Sequence, residues 1–406
     1  MNAVGIDVSR DKSTVAILRP FGEVVASPFD VYHNPNELQA LVTRLKSLDG
    51  DTKVVMEYTG NYYLPIAQFL SNNGLFVSVV NPILVKDYSS KSLTVRKVKT
   101  DKKDAVKIAN FAFDRWAELT PFSPFTQIRL QLKALNRQYD KCNKPKTMLK
   151  NNLISLLAQT FPEVNLLFTS SVKKSNGKEK WVDFVLKYYH AECVSGRSLV
   201  SFSKSYRSWC EKNGYRFSEK KALQIYAFAC NCVPTLPLSE GTKLLVSCAA
   251  TQLNDMDATL ASLIAQMHSI AKALPEYDVV MSMYGVGYVL GPQLIAEIGD
   301  ISRFKKKQSL AAYAGVDPEQ KQSGKNDPKS RPITKRGSPH LRKTLFQILS
   351  VFLQNAPEDE PVFQFIDKKR KQGKLYLVYM TAGANKFLKI YYARVTEYLN
   401  SLQQAA

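Results

Sequence analysis

No apolar run in this sequence is long enough to span a bilayer. No cysteine pair stands at CxxC spacing. The six cysteines include Cys230 and Cys232, but "CNC" is too tight for the usual zinc knuckle and no histidine pair accompanies it. A structural zinc site is thereby excluded, and the cysteines are expected to be reduced, mostly buried thiols of a cytosolic protein. "MNAVGIDVSR" enters a strand-like segment at once, with no visible signal peptide, so a cytoplasmic location is expected. Acidic residues are scarce: 35 Asp and Glu face 56 Lys and Arg, a formal net charge of +21. The excess runs from Lys86 to Lys389 rather than forming a tail. A folded chain this basic most often meets a polyanion, nucleic acid first and a membrane surface well behind. A hydrophobic fraction of 45% excludes general disorder.

A length of 406 residues suits two or three domains. Residues 1–120 read as α/β. "AVGIDVS", "TVAILRP" and "EVVASPFDV" are three strands, the first two joined by the polar turn "RDK". Asn34 and Pro35 then start a helix as cap and first residue. "KVVMEYTG" is a strand ending in Glu57. "YYLPIAQFLSNNG" is a helix closed by Gly74, "LFVSVVNP" is a fifth strand, and "TDKKDAVKIANFAF" is a helix with an acidic first turn. Hairpin-linked strands followed by strand–helix alternation predict a mixed sheet. Residues 121–275 read as a helical, coiled-coil-like link of two long amphipathic helices, the first interrupted at Pro145. Between them Trp181, Tyr188, Tyr189, Tyr206 and Trp209 stand among lysines. Such rings can stack on bases, but at this spacing they read as the core of a small helical subdomain. Residues 276–406 form a mainly helical third block, in which "YGVGYVLG" sets a glycine turn before an apolar helix.

Four acids stand out in the first block. Asp7 lies inside an apolar strand, where a carboxylate is costly without a job or a partner. Glu57 ends the fourth strand. Asp101 and Asp104 stand three apart on one helix face. First and fourth strands are neighbours in a ribonuclease H-type sheet, and the following helix is expected to cross the sheet edge close to both. Four carboxylates gathered there would suit Mg²⁺ or Mn²⁺ rather than zinc. Taken alone, Asp7 could cap the "SRDK" turn, and Asp101 and Asp104 could complement a helix N-terminus. Asp11 competes on the first strand but falls in the turn.

One hydroxyl, Ser323, stands in "PEQKQSGKND", a loop crowded by Lys305, Lys306, Lys307, Lys321, Lys325, Lys329, Arg331, Lys335 and Arg336. Alone, "SG" is an ordinary turn. Ser330 and Ser338 are rival serines, and Ser338 in "KRGSPHLRK" reads better as a helix cap. His340 reads as a structural histidine near a helix start.

"GIDVS", "MEYTG" and "TDKKDA" resemble the three acidic motifs of the DEDD transposases of bacterial insertion sequences, the IS one-ten family. "LIAEIGDISRF", "LAAYAGVDP", "QSG" and "KRGSPHLRKTLF" resemble, in order, that family's C-terminal transposase domain. The resemblance implies an N-terminal RuvC-like (ribonuclease H fold) domain, a coiled-coil connection and a C-terminal domain with a nucleophilic serine. Residue by residue, its metal-binding acids fall on Asp7, Glu57, Asp101 and Asp104, and its serine on Ser323. It further implies that the two domains combine into one composite site, and that a structured non-coding bridge RNA guides the enzyme to target and donor DNA. Phe168 to Lys243 is long for a compact member, and no functional residue carries into it. Double-stranded DNA is the expected substrate. A homodimer or homotetramer is expected because recombination joins several strands. A metal-dependent junction-resolving nuclease and a non-catalytic nucleic-acid scaffold are the rival readings.

Overall fold

The structure, a computed structural model, describes residues 1–58, 60, 62–89, 100–122, 127–168, 177–318 and 332–405. The chain forms two compact units, Met1–Pro124 and Phe125–Ala406.

The first unit holds a five-stranded sheet: β1 (Asn2–Val8), β2 (Lys12–Arg19), β3 (Glu23–Tyr32), β4 (Thr52–Glu57) and β5 (Phe76–Val80), ordered β3-β2-β1-β4-β5. The first three strands run antiparallel, while β1–β4 and β4–β5 are parallel. This is the mixed sheet of the ribonuclease H type. Helices α1 (Pro35–Lys46), α2 (Tyr63–Asn72), α3 (Pro82–Ser89) and α4 (Asp101–Asp114) complete the unit. Asn34 caps α1 by accepting from the Glu37 amide, with Pro35 next in line. Gly74 closes the turn after α2 at φ +80°. The sequence reading assigns no element to α3, whose eight residues follow β5 after Asn81.

Strand alternation sorts the sheet's two faces. Val4, Ile6, Val15, Ile17, Val54 and Met56 pack with Leu38, Leu41 and Leu45 of α1 and Ile66 and Leu70 of α2. Ala3, Leu18 and Val55 turn the other way and pack with Ile108, Ala109 and Ala112 of α4. Asp7, two residues beyond Gly5 and four beyond Ala3, belongs to this second face. The expected crossing at the sheet edge is corrected here: α4 lies on the face, packed against β1, β2 and β4. Gly5 makes that seat possible, because without a side chain it lets the α4 backbone come down onto β1.

The second unit is helical. Helix α5 (Gln127–Thr160) is followed by α6 (Lys180–Lys187), α7 (Glu192–Ser195), α8 (Leu199–Lys212), α9 (Glu219–Cys230) and α10 (Glu240–Ala271). Then come α11 (Tyr277–Met281), α12 (Leu290–Ile298), α13 (Lys307–Ala314), α14 (Pro339–Asn355), α15 (Pro361–Lys371) and α16 (Tyr376–Ala405). The expected interruption at Pro145 does not occur; α5 runs through it. A helical proline costs about 3 kcal/mol. Here α5 is gripped on both sides of it. Leu132 shares a core with Ile264 and Met267 of α10, while Leu153 and Leu157 share another with Val246, Ala249 and Leu253. Early α5 thus meets late α10, so the two long helices are antiparallel.

These two cores divide the unit. One joins the α5–α10 base to α11–α16. The other closes the segment between α5 and α10, where Trp181, Tyr188, Tyr206 and Trp209 are buried and Tyr189 packs alongside, as the helical-subdomain reading expects. The cysteines are in no disulfide, but the expectation that most are buried is corrected. Only Cys210 is buried, whereas Cys230, ending α9, and Cys248, on the outer side of α10, are exposed. Among the described residues no helix is long and apolar enough to cross a membrane.

Candidate acidic site and serine loop

The site begins with strand register. In the parallel β1–β4 pair Ile6 stands beside Met56, so one residue on Asp7 stands level with Glu57, and both turn to the α4 face. Across the antiparallel side Asp7 pairs with Thr14, and Thr14 with Asp30. A polar row therefore crosses four strands: Glu57, Asp7, Thr14, Asp30. Asp7 and Glu57 are half-buried.

The fourth member, Asp30, was missed by sequence reasoning. Its carboxylate accepts from Lys12 Nζ at 2.5 Å and Thr14 Oγ1 at 2.8 Å. Those two bonds, with the Lys102 charge, hold its pKa below the usual carboxylate range, while Asp30 holds the Lys12 ammonium pKa above its ordinary value. Asp30 is thus a paired, structural acid. Its signal was available in "DV" at the end of an alternating strand, but its partners depend on the pairing of β2 with β3.

Helix α4 supplies the remaining acids. Thr100 caps it by accepting from the Lys103 amide. Asp101 is exposed, and its charge also raises the pKa of Lys12. Asp104 is half-buried and takes Lys107 Nζ at 2.6 Å. All four predicted acids thus belong to the α4 side of the sheet: two from neighbouring strand ends, two from the helix's first turn. Among the described residues, no three His, Cys, Asp or Glu side chains are drawn together closely enough to hold a metal ion. The donor chemistry, all carboxylate, with Asp7, Glu57 and Asp104 partly buried and Asp101 exposed, suits a hard divalent cation.

In the second unit Ser323, Gly324 and Ser330 lie outside the described residues, as do Lys321, Lys325, Lys329 and Arg331. The flanks of that loop are described. Pro318 bridges Ile333, the Thr334 amide donates to the Asp317 carbonyl at 3.0 Å, and the Lys335 amide to the Gly315 carbonyl at 3.2 Å. Gly315 and Gly337 are required here. A methyl group on Gly337 would stand 2.1 Å from the Tyr313 carbonyl oxygen, and Gly315 adopts φ +65°.

Ser338 caps α14, accepting from the Leu341 amide at 3.2 Å. It also donates to Glu297 Oε2 at 3.1 Å. Glu297 is fully buried on α12 and takes Asn136 Nδ2 at 2.8 Å and Arg137 Nη2 at 2.9 Å from α5. His340 Nδ1 meets Asp140 Oδ2 at 2.6 Å, and Lys343 Nζ the other oxygen at 2.7 Å. His340 is therefore structural, as expected, and a buried polar network ties the end of the serine loop to the long helix.

Two family profiles match the chain. One, of DEDD transposases of the IS110 kind, described as "Transposase", covers residues 4–162. The other, described as "Transposase IS116/IS110/IS902 family", covers 277–361. The chain belongs to the IS110 family of transposases. The first match spans the acids and the second spans the loop with Ser323. Residues 163–276 of this IS110-family chain, which include most of the aromatic subdomain, lie between the two matches. The pilin gene-inverting protein of Moraxella bovis is 23% identical over 85% of this chain and 80% of its own length. The insertion element IS110 protein of Streptomyces coelicolor is 21% identical over 97% of this chain and 94% of its own. Among solved structures, Thermus thermophilus RuvC is similar over 30% of this chain and 100% of its own, at 15% identity and a TM-score of 0.23.

Proposed function

We propose that this chain is an insertion-sequence transposase that cuts and rejoins double-stranded DNA through a covalent bond between Ser323 and a DNA phosphate. A divalent cation, Mg²⁺ or Mn²⁺, would be held by Asp7 and Glu57 with Asp101 and Asp104. The observation that carries the reading is the level pairing of Asp7 and Glu57 on the face covered by α4, whose first turn bears the other two acids. Such an ion, when bound, would draw the four carboxylates together and stabilise negative charge on the oxygens exchanging at phosphorus. The chain's own groups supply the rest. Ser323 Oγ forms a bond to phosphorus as the bond from phosphorus to the 3′ oxygen breaks. The serine proton leaves to solvent, and the departing 3′ oxygen takes one up. Lys335 and Arg336, beside the loop, offset the phosphate charge. The phosphoserine link conserves the bond, so a 3′ oxygen from another strand can displace Ser323 and rejoin the DNA. The Moraxella relative, by name a gene-inverting protein, supports recombination rather than simple cutting.

The same reading includes a structured bridge RNA as guide and a homodimer or homotetramer as the working form. The charge of +21 suits phosphate backbones, which carry no sequence information, so base pairing is an economical source of site choice. The test is strand exchange in vitro. Ser323→Ala is expected to abolish exchange while retaining DNA binding, since it removes a hydroxyl and no charge. RNase is expected to abolish exchange at defined sites. Exchange that survives in Ser323→Ala refutes the serine chemistry, and accurate exchange by RNA-free protein refutes the guide.

A further inference from the structure

The tip of the α15–α16 hairpin combines two features that the proposed chemistry does not use. The last turn of α15 holds Lys368, Lys369, Arg370 and Lys371, and Lys374 follows in the connection. Lys371 pairs with Asp367, and Lys369 lies over the Phe365 ring. The side chains of Lys368, Arg370 and Lys374 are exposed and make no ion pair or hydrogen bond among the described residues. Directly after them come four exposed apolar or aromatic residues: Leu375 at 77%, Tyr376 at 51%, Leu377 at 66% and Val378 at 40%.

The hairpin beneath this tip is firmly built. Val362 and Ile366 of α15 are buried in the same core as Met380 and Ala384 of α16. Gly383 lets the helices close, since a methyl group there would stand 2.7 Å from Ile366 side-chain atoms. The apolar tip is thus held on rigid helices rather than trailing from a loose loop. A lone exposed leucine needs no explanation, but four successive exposed apolar side chains do. The cations select the partner. A second copy docked symmetrically would set Lys368, Arg370 and Lys374 against their own kind, whereas a polyanion would neutralise them.

We infer that this tip grips duplex DNA away from the cleaved phosphates, with Lys368, Arg370 and Lys374 on backbone phosphates and Leu375 and Leu377 wedged against base steps. Cations flanking an apolar wedge are the means by which minor-groove proteins unstack and bend a duplex. The inference rests on the transposase reading but names a surface outside both matched stretches and both sets of proposed catalytic residues.

The test compares the full-length protein with K368A/R370A/K374A and with L375S/L377S, using a random-sequence duplex labelled at both ends. The charge variant is expected to flatten the dependence of log affinity on log salt by about 0.9 per lost phosphate contact, about 2–3 in all. The apolar variant is expected to keep the slope, lose about ten-fold in affinity and lose the energy-transfer signal of bending. Native slope, affinity and bending in both variants would overturn the inference. So would defects confined to anionic vesicles, to folded RNA or to self-association. Covalent trapping at Ser323 on saturating DNA should persist in both variants. Its loss in the native protein would instead count against the transposase reading.

Discussion

A methyl group added to Gly5 on β1 would stand 2.1 Å from the Ala105 carbonyl oxygen and 2.4 Å from the Ala109 amide nitrogen of α4. Both are backbone atoms, so no side chain can swing aside. Gly5 therefore sets the height at which α4, which carries Asp101 and Asp104, lies over β1. Gly5→Ala should lift or tilt the helix and cost about 1–3 kcal/mol of stability in the first unit. Metal-dependent DNA cleavage should fall further than the melting temperature alone explains. Unchanged melting and activity would show that α4 can seat elsewhere.

Asp7→Asn and Glu57→Gln keep shape and remove charge. Each should reduce Mg²⁺-dependent cleavage by about 100-fold or more, and Asp101→Asn and Asp104→Asn should do likewise. Asp30→Asn, in the same row, should leave cleavage nearly native because Asp30 is engaged with Lys12 and Thr14. A loss for Asp30 equal to that for Asp7, or full activity in a chelator, would contradict the assignment of roles within the row.

The buried Glu297 should be a stability residue of the second unit. Glu297→Ala strips the acceptor from Asn136, Arg137 and Ser338. Arg137 is partly solvated, so the cost should be about 2–4 kcal/mol. Urea unfolding measures it; a change below about 1 kcal/mol would mean the network contributes little.

His268 gives the second unit a pH signature. It is buried on α10, its ring stacked 3.8 Å from that of Tyr288 and its Nδ1 2.9 Å from the Tyr277 hydroxyl. Burial lowers its pKa. The unfolded chain therefore takes up this proton at a higher pH than the fold does. The stability it contributes is complete above the unfolded value, about 6.5, and is lost as pH falls through the lower folded value. Unfolding free energies measured from about pH 8 to 5 should drop less steeply in His268→Gln than in the native chain. Parallel curves would remove His268 as the cause.

The legible parts of this protein were those written locally. Asp7 stands out because an acid interrupts an apolar strand, and α4 because two acids open an amphipathic run. Ser338 was readable as a cap. The rest depended on distant partners. Asp30 acquires its role only through the β2–β3 pairing, which contains a bulge. Pro145 read as a break because α10, which holds α5 on both sides of it, begins some 95 residues later. Glu297 meets Asn136 and Arg137 across about 160 positions. Gly5 did leave a signal, since an isolated glycine inside a strand marks close backbone approach.

The covalent step is the most decisive to measure. A duplex nicked so that the departing strand diffuses away should trap the protein on DNA, and peptide mapping by mass spectrometry then locates the linked residue. A Mg²⁺-dependent phosphodiester is expected on Ser323, present in the native chain, absent in Ser323→Ala and suppressed in Asp7→Asn. Cleavage with no protein–DNA link, or a link mapped to Ser330 or Ser338, would contradict it.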